Sequence, residues 1–259
     1  MIGRIEELNH LYNLYNSDSF EFLVMYGRRR IGKTTILQEF SEKTNSIFFP
    51  AREKNDTLNL EDFSKIIQYH FDKQFYSSFS SWEDAFNYIS SKAHDKIAII
   101  IDEFPYIIEE NPSVKSILQH IIDHSWKQKN IFLILCGSSV SIMENDVMGR
   151  KSPLHDRQTS TLEIKPFDYY ESSDFFPEYN NINKILAYGI LGGVPRYLEA
   201  FDSSKTIEQN IATRIIQNGS YLYEEPMNLL KAEVRETNIY NSILSAIASG
   251  KNKMIDIAN

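Results

Sequence analysis

At 259 residues, 42% of them apolar, the chain has enough material for one large domain, or a domain with a smaller companion, and a substantial core. Its formal net charge of −8 and isoelectric point near 5.3 argue against a broad nucleic-acid surface, though not against a local basic helix. The longest apolar runs, 97–101 and 131–136, fall far short of the ~20 residues of a spanning helix, and the single cysteine, Cys136, builds neither a disulfide nor a cysteine metal site, so the expectation is a cytoplasmic protein without leader or membrane span.

In chain order, residues 1–16 place Ile5, Leu8, Leu11, Tyr12 and Tyr15 on one stripe of a helix. A strand follows at 20–26, and it stops at a glycine. Gly27 to Thr34 then match G-x-x-x-x-G-K-[ST], a loop whose backbone N–H groups surround phosphates. Gly27 and Gly32 suit the sharp exit and the close approach of backbone to anion. Lys33 brings a compact cation to the β/γ-phosphates, and the Thr34 hydroxyl is a hard oxygen donor suited to Mg²⁺. Thr35 continues into a helix whose positive end faces the anion. The loop residues Arg28, Arg29, Arg30 and Ile31 lie between the glycines; three consecutive arginines read more readily as a solvated basic tip than as three phosphate contacts.

A second strand is expected at 46–51, then a polar loop at 52–56 and amphipathic helices at 58–76 and 82–94. The run 96–102, KIAIIID, has the β-branched, uninterrupted character of a central parallel strand. It ends in Asp102, placed to hold Mg²⁺, and Glu103, placed to orient the attacking water. A turn at 104–105, a helix at 113–127 and a fourth strand at 130–136 lead to Ser138 and Ser139. Their hydroxyls suit either the γ-phosphate and water or the cap of a helix beginning near Val140. A basic loop at 149–157, a fifth strand at 160–164 and a helical remainder follow, with helices at 182–188, 194–201, 206–218 and 226–236. The last stretch, 240–259, reads as a winged helix cut in mid-element or as a helical hairpin. The expected fold is thus α/β: a P-loop NTPase core at 1–165 with a central parallel sheet flanked by helices, a helical lid at 166–235, and a winged-helix-like start at 236–259.

With these residues in view, the chain resembles the archaeal-type P-loop ATPases, relatives of the AAA-plus and STAND ATPases. The likeness rests on IGRIEEL at 2–8, GRRRIGKTT at 27–35, IIIDEFPYI at 99–107, LCGSSVSIM at 135–143, PLHDR at 153–157 and GGVPRYL at 192–198. The resemblance implies ATP or ADP with Mg²⁺ as cofactors. It further implies that Ile2, Gly3 and Arg4 contact adenine, that Ser138 or Ser139 acts as a nucleotide sensor, and that Pro195 packs on the base. Arg157 resembles the family's arginine before the fifth strand, acting in cis or from a neighbouring subunit of a homo-oligomer. Family members continue into a nuclease-like region, so a DNA or protein partner is expected to engage the C-terminal end. The leading expectation is a slow ATPase switch; the alternative is a nucleotide-bound adaptor or DNA-binding module that scarcely hydrolyses.

Overall fold

The computed structural model describes residues 2–233 and 237–255. Among these no helix is long and apolar enough to cross a membrane. The chain divides into two compact units, Met1–Pro166 and Phe167–Asn259.

The first unit runs α1 (Ile5–Tyr15), β1 (Glu21–Tyr26), α2 (Lys33–Glu42), β2 (Ser46–Pro50), α3 (Asp56–Asp72), α4 (Trp82–Lys92), β3 (Ile97–Asp102), α5 (Pro105–Glu110), α6 (Val114–His124), β4 (Ile131–Gly137), the single turn α7 (Val140–Ile142) and β5 (Ser160–Glu163). The five strands form one parallel sheet in the order β2-β3-β4-β1-β5. Parallel strands covered on both faces need no polar alternation, and β3 and β4 are buried at every residue. The period of two instead sorts apolar side chains between two cores. Phe22, Val24, Ile99, Ile101, Leu133 and Leu135 join the aromatic core of Phe49, Phe63, Trp82 and Phe86. Leu23, Met25, Ala98, Ile100, Phe132 and Ile134 face the other core, with Ile36, Leu37 and Phe40 of α2.

Several boundaries differ from the sequence reading. Ile5 is 69% exposed, while Leu8, Leu11, Tyr12 and Tyr15 pack against the α2 side of the sheet. The expected turn at 104–105 is instead the start of α5, with Pro105 in the first turn, where its missing N–H costs nothing. Residues 143–147 wind as a π-helix after α7.

The second unit contains α8 (Tyr169–Ser173), α9 (Asn181–Leu191), α10 (Pro195–Leu198), α11 (Ile207–Asn210), α12 (Tyr221–Glu233) and α13 (Thr237–Ala248). Its small core gathers Phe167, Phe176, Tyr179, Ala187, Leu191, Leu198, Phe201 and Ile207. The helix expected at 206–218 is α11 followed by a π-helical stretch, Ile211–Ile216. The helix expected to open at Pro226 opens at Tyr221 and carries that proline inside it. Residues 234–235 of the expected lid, and residues 236 and 256–259 of the expected winged-helix start, lie outside the described residues.

Candidate functional site

The site is assembled at the carboxyl ends of three neighbouring strands, β3, β4 and β1. Where β1 ends, Gly27 is forced: a Cβ there would lie 2.3 Å from the Ile164 carbonyl oxygen, and its φ is +152°. Arg30 (φ 69°) and Gly32 (φ 92°) then take left-handed conformations, curling the chain into a tight loop before α2. Across this loop the Lys33 ammonium donates to the carbonyl oxygens of Gly27 (2.8 Å) and Arg28 (2.9 Å). Two of its three donors brace the loop, and one remains for an anion. Burial pushes its pKa below the ordinary lysine value, and Cys136, Glu103 and Asp102 pull it partly back.

At the tip of β3, Asp102 is 2% exposed, and its carboxylate accepts from the Thr34 hydroxyl at 2.6 Å and from the Glu103 N–H at 3.0 Å. The buried Cys136 thiol lies beside it on β4; burial, with Asp102 next, raises that thiol well above its usual range. Glu103 has φ 54°, a left-handed conformation that costs a side-chain-bearing residue about 1–2 kcal/mol. What holds it there is visible one strand away. Ser138 donates its N–H (3.0 Å) to Glu103 Oε2, and its hydroxyl lies 2.6 and 2.7 Å from the two carboxylate oxygens.

Thr34 and Asp102 together offer a hydroxyl and a carboxylate, the hard oxygen donors that Mg²⁺ takes when phosphate oxygens and waters complete its octahedron. Among the described residues no group of three or more His, Cys, Asp or Glu side chains forms an all-protein metal centre. The donor set therefore fits an ion delivered with a phosphate ligand.

The other expected residues fall in different places. Arg28, Arg29, Thr34 and Thr35 are exposed around the loop, and Ile31 is buried beneath it. Arg29 donates to the Tyr106 hydroxyl at 3.3 Å, a contact between residues 77 apart that carries no local signal. Ile2 is 40% exposed and Gly3 is left-handed. Arg4, expected at adenine, is 4% exposed, and its guanidinium reaches the carbonyl oxygens of Ile31 (3.1 Å) and Lys165 (2.7 Å) and the Glu7 carboxylate (2.7 Å). Ser139 is half-buried and leads into α7. Pro195 opens α10 in the second unit.

Arg157 is not brought to the loop of its own chain. It precedes β5 by three residues, and β5 runs parallel to β1 with Leu23 opposite Ser160 and Tyr26 opposite Glu163. Arg157 thus belongs to the amino-terminal edge of the sheet and Gly27 to the carboxyl edge, about 15–20 Å further along at the rise of a strand. There Arg157 grips Asp123 through Nε (3.0 Å) and Nη2 (2.6 Å), holding that carboxyl below its ordinary range, with Lys127 assisting.

Residues 1–201 match a family described as an ATPase domain predominantly from Archaea. The uncharacterized protein MJECL04 of Methanocaldococcus jannaschii is 36% identical over 258 residues, which is all of this chain but 56% of that protein; the chain spans just over half its length. An uncharacterized ATP-binding protein of the same organism, MJ0423, is 39% identical over 51 residues, 18% of this chain and 86% of that one. Among solved structures, a Walker-type ATPase of Pyrococcus abyssi superposes with a TM-score of 0.74 at 20% identity, covering 99% of this chain and 82% of that one. The Aeropyrum pernix ORC1 protein, solved in complex with DNA, gives 0.55 at 15% identity over 100% and 76%. At such identities the likeness is one of fold.

Proposed function

Because the chain belongs to the family of ATPase domains found predominantly in Archaea, we propose that it binds ATP with Mg²⁺ and hydrolyses it slowly, as a nucleotide-controlled switch. The observation that carries this reading is the Glu103–Ser138 clamp beside the phosphate loop. A mere binding loop has no use for an acid held in a strained backbone conformation next to the phosphates.

In this reading the N–H groups of the loop and the Lys33 ammonium neutralise and fix the phosphates. Thr34 and Asp102 would hold Mg²⁺, which would supply positive charge against the phosphates. Glu103 orients the attacking water. A carboxylate has about four acceptor positions, and Ser138 brings two donors to this one, its N–H and its single O–H. About two positions stay open for the water, on a carboxylate that the Ser138 donors hold in place. Ile2 and Gly3, rather than the buried Arg4 guanidinium, remain the N-terminal candidates to meet the base. Membership of the AAA-plus and STAND branch is part of the same proposal.

Arg157 serves a neighbouring copy if it serves catalysis, since its own loop is at the other edge of the sheet. Activity should then rise faster than linearly with protein concentration, and mixing Arg157→Ala with Glu103→Gln should restore turnover. Linear activity without complementation would leave Arg157 as the structural partner of Asp123.

The decisive measurement is ATP turnover with and without Mg²⁺ and duplex DNA. The DNA arm is motivated by the DNA-bound ORC1 neighbour. Nucleotide binding without turnover under all conditions would favour the adaptor reading, in which nucleotide is structural and the C-terminal unit engages DNA or protein.

A further inference from the structure

Arg4 is buried, yet it touches three separate segments. One nitrogen, Nη2, meets the carbonyl oxygens of Ile31 and Lys165, while Nη1 is fixed on Glu7 of α1. Ile31 lies inside the phosphate loop, between two left-handed residues. Lys165 lies two residues past the end of β5 and two before the second unit begins. Both carbonyls sit where the chain has left regular structure, so a planar two-armed donor is well suited to joining them.

A second contact runs alongside. Gly27, the first residue of the loop, packs so closely on the Ile164 carbonyl that no side chain fits, and the Ile164 N–H bonds Tyr26 at 2.7 Å. The loop is therefore seated on Ile164–Lys165 at both ends: Gly27 directly, Ile31 through Arg4. Within the second unit, the Phe167 N–H in turn bonds the Gly193 carbonyl at 2.8 Å, and Gly193 admits no Cβ against the Phe167 carbonyl. Gly193 is two residues from Pro195.

We propose that Arg4 is a positioning residue that ties the phosphate loop to Ile164–Lys165 at the close of the first unit, so that anion capture at residues 27–34 is transmitted to that segment and along the chain to residue 167. The guanidinium is clamped by Glu7 and by burial, so a shift of the Ile31 carbonyl is passed to Lys165 or breaks the bond. This rests on the nucleotide-binding reading above, and the test separates the two.

Hydrogen exchange of the full chain is followed with and without saturating ADP and Mg²⁺. In the wild type, the amides of 27–34 and those of Ile164, Lys165 and Phe167 should slow together. In Arg4→Ala, 27–34 should still respond, while the response at 164–167 should fall by about tenfold, the scale of one hydrogen bond to a charged group. Should Arg4→Ala fail to fold, Arg4→Lys decides, because a single ammonium on a shorter stem cannot serve Glu7 and both carbonyls as the fork does; its response should lie between those of wild type and alanine. A folded Arg4 variant whose 164–167 segment responds as in wild type overturns the proposal, and so does a wild type in which only 27–34 responds. No response at 27–34 in the wild type overturns nucleotide binding itself.

Discussion

The two units bury their apolar residues to different degrees, and the difference separates chemistry from surface. In Met1–Pro166 the sheet is covered on both faces, and its polar site is built from side chains that each have a structural partner: Thr34 on Asp102, Ser138 on Glu103, Lys33 on its own loop. Among the described residues of Phe167–Asn259 a core of eight buried apolar residues leaves a helix such as α9 with Ile182 (70%), Ile185 (58%), Leu186 (47%) and Ile190 (41%) exposed. A central sheet gives its inner strands two neighbours each and has a covering layer on both faces. Short helices around one small core cannot bury all their faces.

The largest effect that would sharpen this contrast is loss of a core aromatic. Phe86 is fully buried among Phe63, Trp82 and Trp126, and Phe86→Ala should lower unfolding free energy by about 3–5 kcal/mol in a denaturant titration. Next comes the strained acid: Glu103→Gln should retain ATP affinity and reduce turnover by about 10²–10³-fold in a phosphate-release assay. Unchanged turnover would move the water-orienting role elsewhere. Lys33→Ala should weaken nucleotide binding by about 10–100-fold, as expected for a charge-assisted hydrogen bond worth ~1.5–3 kcal/mol.

A pH titration probes the same lysine more gently. Its folded pKa lies below its unfolded value because burial disfavours the ammonium. The unfolded chain thus binds this proton more tightly, and the destabilisation is present in full below the folded pKa and is relieved as pH rises through it towards 10.5. Nucleotide affinity should move oppositely, declining over that alkaline window at a pH lower than a free lysine would give. The smallest effect is expected on α9: Ile185→Ser should change stability by less than about 0.5 kcal/mol. A cost comparable to that of Phe86→Ala would mean that this face is covered, and the contrast between the units would fail.

Much of the first unit was legible because its signals are local. An apolar β-branched run ending in Asp102 and Glu103, or a glycine pair spaced around Lys33, is complete within ten residues. The Ser138–Glu103 clamp was only half legible, since two serines after a strand serve a helix cap as well as a site. What Arg4 holds was not legible for a different reason: its partners at Ile31 and Lys165 lie 27 and 161 residues away and are backbone carbonyls, which leave no mark in side-chain identity. The helix around Pro226 was misread because proline favours a first turn. Here the helix continues through it, with the Tyr197 hydroxyl bonded to the adjoining Glu225 at 2.7 Å.

The braced lysine has a kinetic consequence. Ordering a free lysine side chain costs up to ~2 kcal/mol of rotamer entropy, and here that cost falls on folding, because two loop carbonyls already hold the ammonium. An arriving phosphate meets a donor in place and waits on no rotamer search. Its capture rate is then governed by diffusion and by the field of the exposed Arg28 and Arg29 at the mouth of the loop. Stopped-flow association of a fluorescent ATP analogue should accordingly slow as salt is added, while dissociation changes little.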